Sequence, residues 1–304
     1  MKFAAIDIGS NAVRLLFSNV YDDNGMTYFK KAELIRVPLR LGEDSFLSGK
    51  ISEKKVDKLV TSMKAFKHLI DVYDAIDYRA CATSAMRDAE NRWDIIERVR
   101  KEAGIKIEII DGKTEADIIY SNHIEEHLNK NNAYLYIDIG GGSTEITLFS
   151  KNKAVVSQSF NIGTIRMLHN QIDKEYWTYF KNWIREISKG YKPLIAIGSG
   201  GNINKLLRMS GNKTNKPFAA SKLRSLYEHL ETYTYEERVR ILGLNPDRAD
   251  VIIPASKILL SVIKNAGIEK IIIPQIGLSD GIVHQLFEKY KESKLAEKIY
   301  TPNK

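Results

Sequence analysis

The tetrapeptide Ile-Asp-Ile-Gly occurs twice, at residues 6–9 and 137–140, each time closing an apolar run rich in β-branched residues. "KFAAIDIG" leads into "AVRLLFSNVY" and "YLYIDIG" leads into "STEITLF", so both copies read as a strand, a tight glycine turn and a second, alternating strand. A duplicated hairpin with an acid at its turn leaves few folds open. It predicts two half-molecules of related topology, the second restarting the pattern of the first.

Helices fall between the strands. From Ser52, read as an N-cap, Val56, Leu59, Val60, Met63, Phe66, Leu69 and Ile70 recur at steps of three and four, which predicts an amphipathic helix. "NRWDIIERVRKEAG" predicts another, capped by Asn91 and stopped by Gly104, and Pro254 opens a third that Gly267 closes. Buried strands are expected in "DYRACATSAMR", "IKIEIIDG", "KPLIAIGSGG" and "EKIIIPQIGLSDG", so the fold class is α/β. The polar stretch "LNKNNA" near residues 128–133 is the best break, giving halves 1–128 and 129–304, with the last helix free to pack back on the first.

Composition narrows the function classes. With 304 residues, 43% hydrophobic and 28% charged, the chain is a folded protein rather than a disordered one. No apolar run approaches the roughly 18 residues of a spanning helix, and "MKFAAID" meets an aspartate too early for a signal peptide, so a soluble, cytoplasmic chain without a membrane partner is expected. Cys81, the single cysteine, excludes an internal disulfide and reads as a small buried apolar residue. The net charge of +8 suits an anionic, phosphate-rich ligand, although the lysines look scattered over helix faces rather than gathered into one block. No nucleic-acid partner is expected.

The turns themselves suggest the chemistry. Glycine runs let backbone N–H groups approach phosphate oxygens closely, and a carboxylate at the strand end, Asp7 or Asp138, suits a hard cation such as Mg²⁺. The hydroxyls of Ser10 and Ser143 and the amide of Asn11 add donors, and a third glycine loop lies at residues 198–201. No GxxxxGK[ST] occurs and no GxGxxG follows a strand, so neither a P-loop nor a dinucleotide fold is supported.

Seven segments in order, "DIGSNAVRL", "ATSAMRDAEN", "DGKTEA", "DIGGGSTEI", "GTIRM", "GSGGN" and "RADVI", resemble the exopolyphosphatase and guanosine pentaphosphate phosphohydrolase (Ppx/GppA) family over nearly the whole chain. The resemblance implies two ribonuclease H-like domains of the actin-like ATPase type, with the active site in the cleft between them. It implies Mg²⁺-dependent release of terminal phosphate from inorganic polyphosphate, with Mn²⁺ as the alternative ion and pppGpp as the alternative substrate. Glu115 then stands as general base and Arg87, read as lying in a loop, holds substrate phosphate. By the same resemblance Asp7, Asp138 and Glu145 are expected to organise the metal. Gly9, Ser10, Asn11 and Arg14, then Gly140, Gly141, Gly142 and Ser143, then Gly200, Gly201 and Asn202 bind phosphates. A homodimer is left open.

The departures from the family pattern are specific. Thr114-Glu115 stands where many relatives carry two adjacent acids, Asn202 stands where threonine is expected, and Ala255 where glycine is frequent. The chain also stops near residue 304, without the helical extension of long exopolyphosphatases. A kinase of the same superfamily and a non-hydrolytic nucleotide-binding regulator are the competing readings. "HIEEH", with His123 and His127 a turn apart, matches an inverted zinc-protease pattern but is set aside as a solvated helix face, and the aromatic stripe in "YWTYFKNWIREI" reads as core.

Overall fold

The structure, a computed structural model, describes residues 1–23, 26–122, 129, 131–151 and 153–300, with backbone alone at 120 and 297–300. The predicted boundary at residue 128 and the pair His123 and His127 lie outside the described residues.

The first half builds β1 (Lys2–Ile8), β2 (Val13–Asp23), β3 (Met26–Val37), β4 (Asp77–Ala82) and β5 (Ile107–Ile109) into one sheet of order β3-β2-β1-β4-β5. The first three strands form an antiparallel meander, and β4 and β5 join parallel to β1 through helical crossovers. Its helices are α1 (Leu41–Ser48), α2 (Glu53–Val72), α3 (Ser84–Asp88), α4 (Arg92–Ala103) and α5 (Gly112–Tyr120). The second half repeats the plan with β6 (Ala133–Ile139), β7 (Thr144–Ser150), β8 (Lys153–Phe160), β9 (Leu194–Ser199), β10 (Phe218–Ala219) and β11 (Lys270–Ile272). Its order, β10-β11-β9-β6-β7-β8, is the same meander plus parallel flank, extended by the two-residue antiparallel edge β10. Helices α6 (Thr164–Leu168), α7 (Lys174–Ser188), α8 (Gly201–Ser210), α9 (Ala220–Glu231), α10 (Tyr235–Arg240), α11 (Pro246–Ala249), α12 (Ile252–Ala266) and α13 (Leu278–Tyr300) complete it.

The repeat extends to register. Asp7 faces Arg14 across β1 and β2, while Asp138 faces Glu145 across β6 and β7. Equivalent positions therefore carry an ion pair in one half and two acids in the other.

Hydrophobic spacing places the helices as expected, with Val56, Leu59, Val60, Met63, Phe66 and Ile70 buried along α2 and Gly104 ending α4 at positive φ. The cap side chains do something different from the prediction. The Ser52 hydroxyl donates to the Asp44 carboxylate instead of accepting from its own helix, and Asn91 clasps the backbone of Ile51 in both directions. Helix α12 starts two residues before Pro254, which its first turn tolerates. Along α7, Phe180 and Ile184 are buried and Tyr176, Trp177 and Trp183 pack on the same core, so this stripe is structural.

Each half has its own core, and a third core joins them. In it Leu278, Ile282, Val283, Leu286 and Phe287 of α13 meet Phe3 and Leu16 of the first sheet, Ile118 and Ile119 of α5, and Tyr134 and Tyr136 of the second sheet. The last helix thus packs back on the first half. Burying a side chain such as Phe287 contributes about 2–3 kcal/mol, and its ring lies edge-on to Phe3 at 6.2 Å. This shared core sets the spacing of the two sheets, and so the width of the cleft between their turns. Among the described residues no helix is long and apolar enough to cross a membrane.

Candidate active site

The duplicated turns face each other. In each, the first glycine donates to a carbonyl three residues on, Gly9 to Ala12 at 3.2 Å and Gly140 to Ser143 at 2.9 Å. Gly141 lies so near the opposing turn that a Cβ there would stand 2.9 Å from Ser10 Cβ, and one on Gly163 would stand 2.3 Å from the Gly141 carbonyl oxygen. The third loop closes the floor: Gly200 has φ of 105°, and a Cβ on it would meet the Ile139 carbonyl at 2.6 Å. Gly9, Ser10, Asn11, Arg14, Gly140, Gly141, Ser143, Gly200, Gly201 and Asn202 all line one cleft, together with Asp7, Glu115, Asp138 and Glu145.

Gly142 departs from expectation. A Cβ on it would meet Ser84 and Phe46 within 2.5 Å, and its carbonyl accepts from Arg166 Nε at 2.9 Å. Arg87 also differs: it belongs to α3 rather than a loop, and its Nη1 donates to the Ile110 carbonyl at 2.8 Å. Its charge still opposes the high pKa of both Glu115 and Glu145.

Local sequence explains how Glu115 reaches the cleft. Asp111 caps α5 by accepting from Thr114 N at 2.7 Å, which sets Glu115 in the first turn. Gly112 lets that turn approach β8, because a Cβ on it would stand 2.4 Å from Ser159 Cβ. Ser159 in turn donates to Glu145 Oε1 at 2.8 Å, so the two glutamates share one acidic neighbourhood. Burial, then Glu145, Asp138 and Asp7, hold the Glu115 carboxyl well above the usual range, and its Oε2 is buried without a hydrogen-bond partner. Burial and Glu145 push Asp138 up to about 7. Asp7 pairs with Arg14 at 2.6 Å.

The three expected metal ligands do not assemble into a cage. Among the described residues no three carboxylate, imidazole or thiol groups are placed to ligate one ion, and Asp7 is engaged by Arg14. The site still fits a hard cation of another kind. Mg²⁺ is commonly held by one or two carboxylates, its remaining positions taken by water and phosphate, and crowded carboxylates of raised pKa lining a phosphate-loop cleft supply such oxygens.

Sequence reading passed over part of the lining. Thr83, Ser84 and Thr164 enter it, the last with a buried hydroxyl lacking a partner. So do Arg36, Arg208 and Arg248, drawn from β3, α8 and α11. Arg208 was detectable in principle, because it follows Asn204 by one helical turn and Gly201 by two, on the face of α8 that the glycine loop directs into the cleft.

A search against protein families places residues 23–290 in the Ppx/GppA phosphatase family. The chain belongs to that family. It is 24% identical to "Exopolyphosphatase 1" of Mycobacterium bovis over 303 residues, covering 93% of this chain and 87% of the relative. A "Guanosine-5'-triphosphate,3'-diphosphate pyrophosphatase" of Photobacterium profundum is 25% identical over 98% of this chain, which spans 62% of that protein. Of solved structures, an exopolyphosphatase from Cytophaga hutchinsonii matches with TM-score 0.82 at 24% identity, covering 95% of this chain and 98% of the other, which shows a shared fold. The Ppx/GppA family member is accordingly a phosphoanhydride hydrolase of two-domain α/β architecture.

Proposed function

We propose that this Ppx/GppA protein is an exopolyphosphatase, releasing terminal orthophosphate from inorganic polyphosphate. The observation that carries the reading is Glu115: a buried carboxylate of raised basicity, with one oxygen unpartnered, opening into a cleft walled by two facing phosphate turns. A carboxylate so placed takes a proton from water as the water oxygen forms its bond to the terminal phosphorus. The bridging P–O bond breaks, and the shortened chain leaves with the electron pair. Backbone N–H groups of the turns at residues 9–11 and 140–143, with the loop at 199–202, cradle the phosphate oxygens. Arg14 and Arg87 balance the charge of the acidic cluster. Asp138 and Glu145, with Asp7 through water, are the groups we assign to Mg²⁺, which when bound supplies neutralising charge to the phosphate oxygens.

The names of the Mycobacterium bovis relative and the Cytophaga hutchinsonii structure support this substrate class. The test is orthophosphate release from polyphosphate, from pppGpp and from ATP, each with and without divalent metal and a sugar or acid acceptor. Acceptor-free, metal-dependent release from polyphosphate is the expected result. Product formed only with ATP and an acceptor identifies a kinase, and release confined to pppGpp identifies the nucleotide phosphohydrolase.

A further inference from the structure

The first sheet ends unevenly at the pole opposite the cleft. β1 begins at Lys2 in register with Asn19, while β2 and β3 run on to Asp23 and Met26, so their last residues form a two-stranded ribbon that overhangs the sheet. Side chains on a strand alternate between its faces. Phe17 stacks on Tyr73, the residue that ends α2, so Tyr21 lies on that same face, roughly 13 Å further out. Tyr28 is in register with Tyr21, and its hydroxyl donates to Met26 Sδ at 3.4 Å. Helix α2 stops short of the ribbon, and Ile76 just after it donates its N–H to the Lys2 carbonyl at 2.8 Å, which puts Val72 and Ile76 at the foot of the overhang.

The corner between ribbon and helix end is apolar and open to water. Tyr21, Met26 and Tyr28 on one arm, and Val72 and Ile76 on the other, range from 47% exposed at Ile76 to 75% at Val72. One exposed apolar side chain is ordinary, but five at one corner form a patch. At roughly 100 Å² apiece they present about 500 Å² on one copy, high for a monomer, and about 1,000 Å² on two, the size from which a specific interface begins. Each arm also carries an exposed charge, Lys30 on the ribbon face and Asp74 after α2, and neither has an ion-pair partner among the described residues. The outer edge of β3 is unsuited to strand pairing, because Lys30 and Lys31 stand on it and its register shifts opposite Phe17 and Ser18. Contact through the face of the ribbon is what remains.

We propose that this pole is a homodimer interface, in which the ribbon face of each copy packs on the α2 end of the other across a two-fold axis. A step with one arm along the ribbon and one along the helix end fits a second copy of itself, so every contact is made twice. Tyr21, Met26 and Tyr28 of one copy then cover Val72 and Ile76 of the other. Lys30 of each copy meets Asp74 of its partner, beside the C-terminal carbonyls of α2, which also favour a cation. β1 runs from this pole to the turn at Gly9, a separation of roughly 20 Å, so the dimer leaves both clefts facing outward.

Sedimentation velocity of the full chain tests this, and the wild type is expected to dimerise with a micromolar Kd. Tyr28→Glu on the ribbon and Val72→Glu on the helix end should each raise that Kd at least about tenfold. Ile241→Glu, at an exposed apolar residue of the second half, should leave it unchanged. All three side chains are exposed, so the fold is kept. The charge pair gives the most specific reading. Lys30→Glu and Asp74→Lys alone should each weaken the dimer about threefold to tenfold, and the two together should restore it to within about threefold of wild type. A wild type that stays monomeric at about 100 µM overturns the proposal. So does a Tyr28→Glu or Val72→Glu chain as dimeric as wild type, an equal loss in Ile241→Glu, or a double charge reversal that fails to restore association.

Discussion

Gly281 of α13 offers the sharpest test of how the fold positions the chemistry. Its substitution by alanine would ordinarily favour the helix by about 1 kcal/mol. Here the added Cβ would stand 1.8 Å from the Ile118 carbonyl oxygen and 2.7 Å from its carbon, both backbone atoms of α5. The two helices must separate by more than about 1 Å before carbon and oxygen reach an ordinary contact distance. Overpacking of this kind costs roughly 1–3 kcal/mol, and the upper end applies because backbone cannot rotate away. After the helix-propensity gain, a net loss of about 2 kcal/mol remains, or roughly 4 °C in Tm for a chain of this size. The same displacement moves Glu115, one turn earlier on α5, and misplacing a reacting group by about 1 Å is worth up to 100-fold in rate. Calorimetry and phosphate release on Gly281→Ala are therefore expected to show both losses together. The comparison is Gly104→Ala, where nothing lies within 4 Å and only the positive φ is strained; there about 1–2 kcal/mol is lost with activity kept. A Gly281→Ala protein of wild-type Tm and rate would refute the proposed coupling between α13 and the site.

Other outcomes follow from the same geometry. Asp138→Asn is expected to be more stable than wild type in metal-free buffer at pH 8, by about 2 kcal/mol after halving the roughly 4 kcal/mol of a three-unit shift for the half-buried residue. The sign follows from a folded pKa raised from 3.8 to about 7: the wild type keeps its full stability below the unfolded value and loses it as pH rises towards 7. A gap equal at pH 5 and pH 8 would contradict this. Arg166, whose guanidinium stacks 3.9 Å over Phe46, donates to Gly142 and pairs with Asp88, ties both halves together. Arg166→Ala should lower stability by about 2 kcal/mol in urea titration, with Arg166→Lys recovering only part of it. Burial pushes the Cys81 thiol up to about 12, so Ellman's reagent at pH 8 should leave native protein unlabelled and label it fully in urea. Rapid labelling of the native chain would count against that burial.

The duplicated turns and the strand order around them were legible because short local patterns encode them: apolar runs ending in Asp and Gly, then alternation. Glu115 came from the family resemblance; the Asp111 cap and the Gly112 contact that aim it into the cleft are visible only in the structure. What the sequence left hidden is long-range. Arg36 and Arg248 lie far apart along the chain, and only the packing of the two halves brings them to one cleft. The positive charge that looked scattered along the sequence is partly gathered in space. Ser52 and Asn91 stand at the N-cap positions the sequence indicated, but which partner each side chain takes was not local: Ser52 bonds Asp44 and Asn91 the Ile51 backbone rather than the helix end. Gly142 looked like part of a phosphate cradle by its neighbours alone, yet close packing against Ser84 and Phe46 claims it.

The central claim is that the Glu115 carboxylate takes the proton from the attacking water, and single-turnover phosphate release by Glu115→Gln tests it most directly. Glutamine preserves the shape of the side chain but not its basicity, so release from polyphosphate should fall by about 10²–10⁴ while calorimetric binding of the chain stays within about threefold of wild type. Release at the wild-type rate by folded Glu115→Gln protein would contradict the account.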